Sequence, residues 1–87
     1  MRISTDESQE GYKTFRAAKD AGVRIRVMLD GVEQKYCFMA DTRERIVERA
    51  VLNEVGEVQV DPENPDQILT EIVSGASVTI RFEKGGK

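Results

Sequence analysis

Apolar positions along this chain change their period three times, and each change marks an element. Tyr12, Phe15, Ala18 and Ala21 recur at three-residue spacing, which puts them on one stripe of a helix, with Arg16 and Lys19 toward its negative end and Gly22 as its stop. Ser4-x-x-Glu7 or Asp6-x-x-Gln9 reads as a capping box ahead of it, and Gly11 weakens the segment by about 1 kcal/mol relative to alanine, so fraying is expected over residues 1–10. From Val23 the period becomes two. Asp30-Gly31 is the pair that a type I′ turn requires, because both central residues need positive φ. A hairpin about that turn sets Leu29 opposite Val32, Val27 opposite Gln34, Ile25 opposite Tyr36 and Val23 opposite Phe38 on a core face. Its other face holds Met28 opposite Glu33, Arg26 opposite Lys35 and Arg24 opposite Cys37.

Two patterns overlap in residues 41–60. Ile46, Val47, Ala50 and Val51 fit a helical face capped by Asp41-x-x-Glu44. Asn53-Glu54-Val55-Gly56 has instead the chemistry of a tight turn between β-branched strands, which predicts a hairpin from Arg45 to Leu52 returning over Glu57 to Asp61. The loop Asp61-Pro62-Glu63-Asn64-Pro65-Asp66 breaks the chain, and Ile68, Leu69, Ile72 and Val73 after it suit either a short helix opened by Asn64-Pro65 or a strand. Ser74-Gly75 is a stop. The last strand has Val78, Ile80 and Phe82 inward with Thr79 and Arg81 outward, and residues 84–87 form a loose tail.

The pattern therefore predicts one small α+β domain, mainly antiparallel β hairpins with one N-terminal helix, spanning residues 1–87. Its 87 residues allow a modest core but not a deep walled pocket, so the chain is expected not to be an enzyme. No apolar run approaches the roughly 20 residues a membrane span needs. The first residues lack a secretory layout, so a cytoplasmic setting is the expectation.

Net charge is −3 and uneven, with nine Lys/Arg against eight Asp/Glu in residues 1–45 and four against eight in residues 46–87. A nucleic-acid grip needs a concentrated basic stripe, and Arg24, Arg26 and Lys35 are only three, so nucleic acid is not the expected partner. They remain the candidate interaction face, either neutralised by an acidic strand carrying Glu48 and Glu57 or met by an acidic protein partner.

The absence of histidine removes Ser-His-Asp and Cys-His catalysis and most zinc and copper sites. Carboxylates of the 61–66 loop lack EF-hand spacing and read as solvated turn residues. No cofactor, metal or catalytic residue is expected. Cys37 has cations on its predicted face, yet without a base or a second cysteine it reads as a small half-buried apolar residue. All five aromatic residues, Tyr12, Phe15, Tyr36, Phe38 and Phe82, fall on predicted core faces.

The turns carry a resemblance. A strand, Asp-Gly-Val, a second strand ending Cys37-Phe38-Met39-Ala40-Asp41, a turn at Asn53 to Gly56, the polar 61–66 loop and a final Gly75-x-x-Val-x-Ile-Arg strand together resemble small uncharacterised proteins of tailed bacteriophages and prophages. The likeness covers about 60 residues. Where such proteins often have a glycine after the Ala-Asp pair, this chain has Arg43-Glu44-Arg45. It implies a mostly antiparallel β module without catalytic residues, in the host cytosol or the virion, working through protein contacts or as a homo-oligomer. The order hairpin, helix, strand, short helix, strand with Gly85-Gly86 also resembles the β-grasp fold of ubiquitin-like proteins and sulfur carriers, although Lys87 follows the second glycine.

Overall fold

The computed structural model describes residues 1–84. Among them are nine strands and one helix: β1 (Arg2–Ser4), α1 (Tyr12–Asp20), β2 (Val23–Leu29), β3 (Val32–Gln34), β4 (Cys37–Asp41), β5 (Ile46–Ala50), β6 (Val60–Asp61), β7 (Asn64–Ile68), β8 (Thr70–Ser74) and β9 (Val78–Lys84). All ladders are antiparallel, in a four-stranded sheet β1-β4-β5-β8, a three-stranded sheet β3-β2-β9 and a two-stranded ribbon β6-β7. The mainly β domain with one short helix is thus what forms.

The core lies where the two larger sheets meet. Ile3, Ala40 and Val47 from one sheet and Val27, Leu29 and Val78 from the other are buried together, with Phe15 of α1 and Ile25, Cys37, Val73 and Ile80 packed against them. Ile3, Ala40, Val47 and Val73 occupy a single row across β1, β4, β5 and β8, so one inward row of the sheet supplies its central contacts.

Asp30 (φ 51°) and Gly31 (φ 82°) form the expected turn, but its second strand is short. Three residue pairs link β2 to β3, and then Tyr36 (φ 57°) turns the chain away so that β4 joins the four-stranded sheet. The long partner of β2 is β9, with Ile25 opposite Phe82, Val23 opposite Lys84, Arg26 opposite Arg81 and Arg24 opposite Glu83. This corrects the expected pairings of Ile25 with Tyr36, Val23 with Phe38, Arg26 with Lys35 and Arg24 with Cys37. The cause is in the run Cys37-Phe38-Met39-Ala40, which is apolar on both faces and is better buried in a central strand than laid along a half-exposed hairpin. Asp30 fastens the turn to the β8–β9 connection: its Oδ1 accepts from the N–H groups of Ala76 and Ser77 at 2.8 and 2.9 Å.

Residues 2–4, expected to fray, are instead a buried edge strand in which Ile3 and Ser4 are almost inaccessible. The capping boxes do not form. Ser4 Oγ accepts from the Asp6 N–H and Asp6 Oδ1 from the Ser8 N–H, closing local turns, while the helix starts at Gly11 (φ 96°) with no side-chain cap. Gly22 (φ 72°) follows the helix as expected, its N–H bonded to the Lys19 carbonyl.

The strand reading wins in the two ambiguous segments. Asp41 does act as a cap, with Oδ1 accepting from the Arg43 and Glu44 N–H groups, but the helical turn it opens closes at once through Arg45 N–H to the Asp41 carbonyl and Arg45 at φ 60°. The chain returns as β5, laddered by β4 on one side and β8 on the other, a gain that outweighs the helical periodicity. Residues 64–68 and 70–74 are strands rather than a helix. The segments that a β-grasp order takes as later helices are therefore extended. Of the aromatic residues expected in the core, Tyr36 (55% exposed) and Phe82 (41% exposed) stand largely outside it.

Candidate interaction surface

Three places merit a functional reading, beginning with the predicted basic face. Arg24 and Arg26 lie on the outer side of the β3-β2-β9 sheet and Arg81 joins them directly opposite Arg26, whereas Lys35 follows the end of β3 and lines a groove with Glu33, Arg49 and Glu71. The acidic strand expected to neutralise Arg26 is not the one holding Glu48 and Glu57. Arg26 Nε instead sits 3.4 Å from Glu83 and 3.9 Å from Glu33. Glu48 accepts a hydrogen bond from Thr70 in the other sheet, and Glu57 belongs to the turn after β5. Arg81, which pattern reading had treated only as an outward residue, is the cation it missed, because the β2–β9 register is non-local.

Cys37 is the second place. It lines a cavity of about 180 Å³ between the sheets, with Phe15, Ile25, Val27, Phe38 and Met39. Its strand neighbour is Arg49, not Arg24. Burial pushes the thiol up to about 11, with the Arg49 charge working weakly against it. Among the described residues no carboxylate or lysine lines the cavity, so no side chain is placed there as a base for the sulfur. With the pKa raised from 9.0 to about 11, the thiolate fraction near neutral pH falls about a hundredfold. Alkylation of Cys37 by iodoacetamide at pH 8 is accordingly expected to run about a hundredfold slower than that of a free cysteine. A rate within a few-fold of the free thiol would show that the cavity opens readily.

The third place is an arm built by residues 51–69. Beyond Ala50 the β5–β8 pair splays, and the 58–61 segment enters between the two strands. Val51 N–H bonds the Leu69 carbonyl, Leu69 N–H the Gln59 carbonyl and Gln59 N–H the Val51 carbonyl, at 2.9, 2.8 and 3.3 Å. The tip is the expected turn. Asn53 Oδ1 accepts from the N–H groups of Val55 and Glu57, and Gly56 sits at φ 84°. Leu52 bridges Val58, and Val60 pairs with Ile68.

Alternation then sets Leu52, Val58, Val60 and Ile68 on one side of the arm, in line with Thr70 and Ile72 of β8. That side is uncovered: Ile72 is 65% and Val60 58% exposed, and Leu52, Val58 and Ile68 are each exposed by about two-fifths. A two-stranded ribbon alone is marginal in water, and this one keeps its apolar side outward. The hairpin from Arg45 to Asp61 predicted here exists only in part, because β5 ladders with β4 and β8 and meets the returning chain just at its end. Among the described residues, no group of three or more His, Cys, Asp or Glu is placed to hold a metal ion, the 61–66 turn included.

No family model matches the chain, and comparison with curated proteins and with solved structures gives no match. No helix among the described residues is long and apolar enough to cross a membrane. Of the loose tail expected over residues 84–87, Lys84 is instead the last residue of β9, laddered opposite Val23, while residues 85–87, with the Gly85-Gly86 pair, lie outside the described residues.

Proposed function

We propose that this chain is a non-enzymatic protein-interaction or assembly module of phage or prophage origin, working in the host cytosol or the virion through sheet surfaces and edge strands. The uncovered apolar side of the arm carries the reading. Apolar side chains in a strand are ordinarily turned inward, and folding gains little from Val60, Ile68 and Ile72 while they face water. A partner that covers them recovers that burial, and exposed apolar patches of this kind mark contact sites. The phage origin follows the likeness in turns and strands described above.

The test compares the intact chain with a Val60→Ser/Ile68→Ser variant in capture from phage-infected cells, with folding checked by circular dichroism. A protein retained by the intact chain and lost with the folded variant is the expected result. If both forms retain the same proteins, or neither binds any and neither self-associates, the module reading is wrong.

A further inference from the structure

Charge is divided between residues 50–80, which hold the arm and β8, and the rest of the chain more sharply than between the two halves of the sequence. Residues 50–80 contain six carboxylates and no lysine or arginine, whereas the rest of the chain has 13 Lys/Arg against 10 Asp/Glu. Glu54, Glu57, Asp61, Glu63 and Asp66 make no ion pair among the described residues, and only Glu71 is held, by Arg49 at 3.0 Å.

Besides the short edges of β1 and β3, three residues each, two longer strand edges have a ladder on one side only, and they differ in sign. β7 is laddered only by β6 and β8 only by β5, so the other side of the stretch from Asp66 to Ser74 has no ladder partner among the described residues. This edge bears Asp66 and Glu71 with the exposed Ile68 and Ile72, and Glu63 stands in the turn that leads into it. β9 is laddered only by β2. It bears Arg81, Lys84 and the exposed Phe82, with Arg24 and Arg26 on the strand behind it, and its one carboxylate, Glu83, is already beside Arg26.

Resting on the assembly reading above, we propose that the partner is a second copy of this chain, the β7–β8 edge of one copy pairing with the β9 edge of another. Main-chain hydrogen bonds between two open edges supply the contact, as in strand addition generally. The charges choose the pairing: two β7–β8 edges together would oppose carboxylates with no cation between them, and two β9 edges would oppose Arg81 and Lys84. Only the mixed pairing sets acid against base, and it also brings Ile68 and Ile72 to a surface carrying Phe82.

The experiment measures molar mass by light scattering and sedimentation for the intact chain, for Glu63→Lys/Asp66→Lys and for Arg81→Glu/Lys84→Glu. These are surface positions, and circular dichroism confirms folding. If either variant unfolds, Glu63→Gln/Asp66→Asn and Arg81→Gln/Lys84→Gln replace them.

The intact chain is expected to self-associate, more weakly as salt rises, because the attraction is between exposed charges. Each variant alone should associate at least about tenfold more weakly, and mixing the two charge-reversed variants should restore a complex, since each then supplies the edge the other lacks. An intact chain that stays monomeric overturns the self-pairing while leaving capture of another protein as a separate result. Association that survives Arg81→Glu/Lys84→Glu, or strengthens with salt, overturns it as well, because it would mean that like edges meet through their apolar residues.

Discussion

Gly11→Ala is expected to be among the most damaging single-methyl additions the fold can receive. Gly11 begins α1 at φ 96°, and a Cβ built there would lie 2.5 Å from the Arg2 carbonyl oxygen, 2.8 Å from its carbon and 2.9 Å from Ile3 Cα. All three are backbone atoms of β1, so no side-chain rotation relieves the clash. The left-handed conformation costs an L residue about 1–2 kcal/mol, and forcing a methyl into a packed contact about 1–3 kcal/mol more. A loss of about 2–5 kcal/mol follows, which in a domain of this size lowers Tm by roughly 10–30 °C.

Gly22 and Gly56 provide the internal comparison. They have φ of 72° and 84° but nothing within 4 Å of the added methyl, so Gly22→Ala and Gly56→Ala should lose only the conformational part, about 1–2 kcal/mol. Chemical denaturation of the three variants decides the matter. Equal losses at all three would mean that the helix start does not press on β1, and the N-terminal strand would then be held by its ladder to β4 and the Arg2–Asp41 pair. In the expected case, amide exchange at residues 2–4 accelerates in Gly11→Ala and not in the other two, because the contact broken is the one that seals this edge.

The contrast between these glycines also shows what the sequence could disclose. Asp30-Gly31, Gly22 and the Asn53 to Gly56 turn were legible because their demand is local: a backbone that must reach positive φ selects the residue there. Strand partners answer to the whole chain. β2 was readable as a strand with Val27 and Leu29 inward, yet nothing in its own alternation says that β9, over fifty residues later, would pair along its full length while β3 paired along three residues. The basic face therefore kept its side of the sheet and changed its neighbours, exchanging Glu48 and Glu57 for Glu33 and Glu83 and acquiring Arg81. The arm was hidden for a different reason. Val58, Gln59 and Val60 alternate as a core strand does, and alternation names a side to be covered without saying whether this chain or another molecule covers it.

Asp41→Ala should rank beside Gly11→Ala, for an electrostatic reason. The Asp41 carboxylate is buried and carries three bonds: Oδ1 accepts from the N–H groups of Arg43 (2.8 Å) and Glu44 (2.9 Å), and Oδ2 from Arg2 Nε (2.9 Å). One side chain thus closes the β4–β5 turn and ties it to β1. Removing it leaves two turn N–H groups and a guanidinium without their acceptor, a loss of about 2–4 kcal/mol. Asp41→Asn separates the two functions. Its amide oxygen can still accept from both N–H groups, but its NH₂ cannot accept from Arg2, so about half the loss is expected.

The same contacts set a pH dependence. The Glu44 N–H does most to hold the carboxyl below its ordinary value of 3.8, burial opposes it, and Arg2 and the Arg43 N–H add to the lowering. A carboxyl whose pKa falls on folding binds its proton more readily in the unfolded chain. Its contribution is therefore complete above 3.8 and disappears as pH falls through the lower folded value, so wild type should lose stability from about pH 4 downward. Asp6 is also lowered, by the Ser8 N–H and then its hydroxyl, so its effect on acid stability has the same sign. The difference between wild type and Asp41→Asn cancels that shared background: it should be largest near neutral pH and shrink below pH 4 as the native carboxylate takes up its proton. Parallel curves for the two proteins down to pH 2 would place the acid sensitivity at another carboxylate and reduce Asp41 to an uncharged acceptor in its turn.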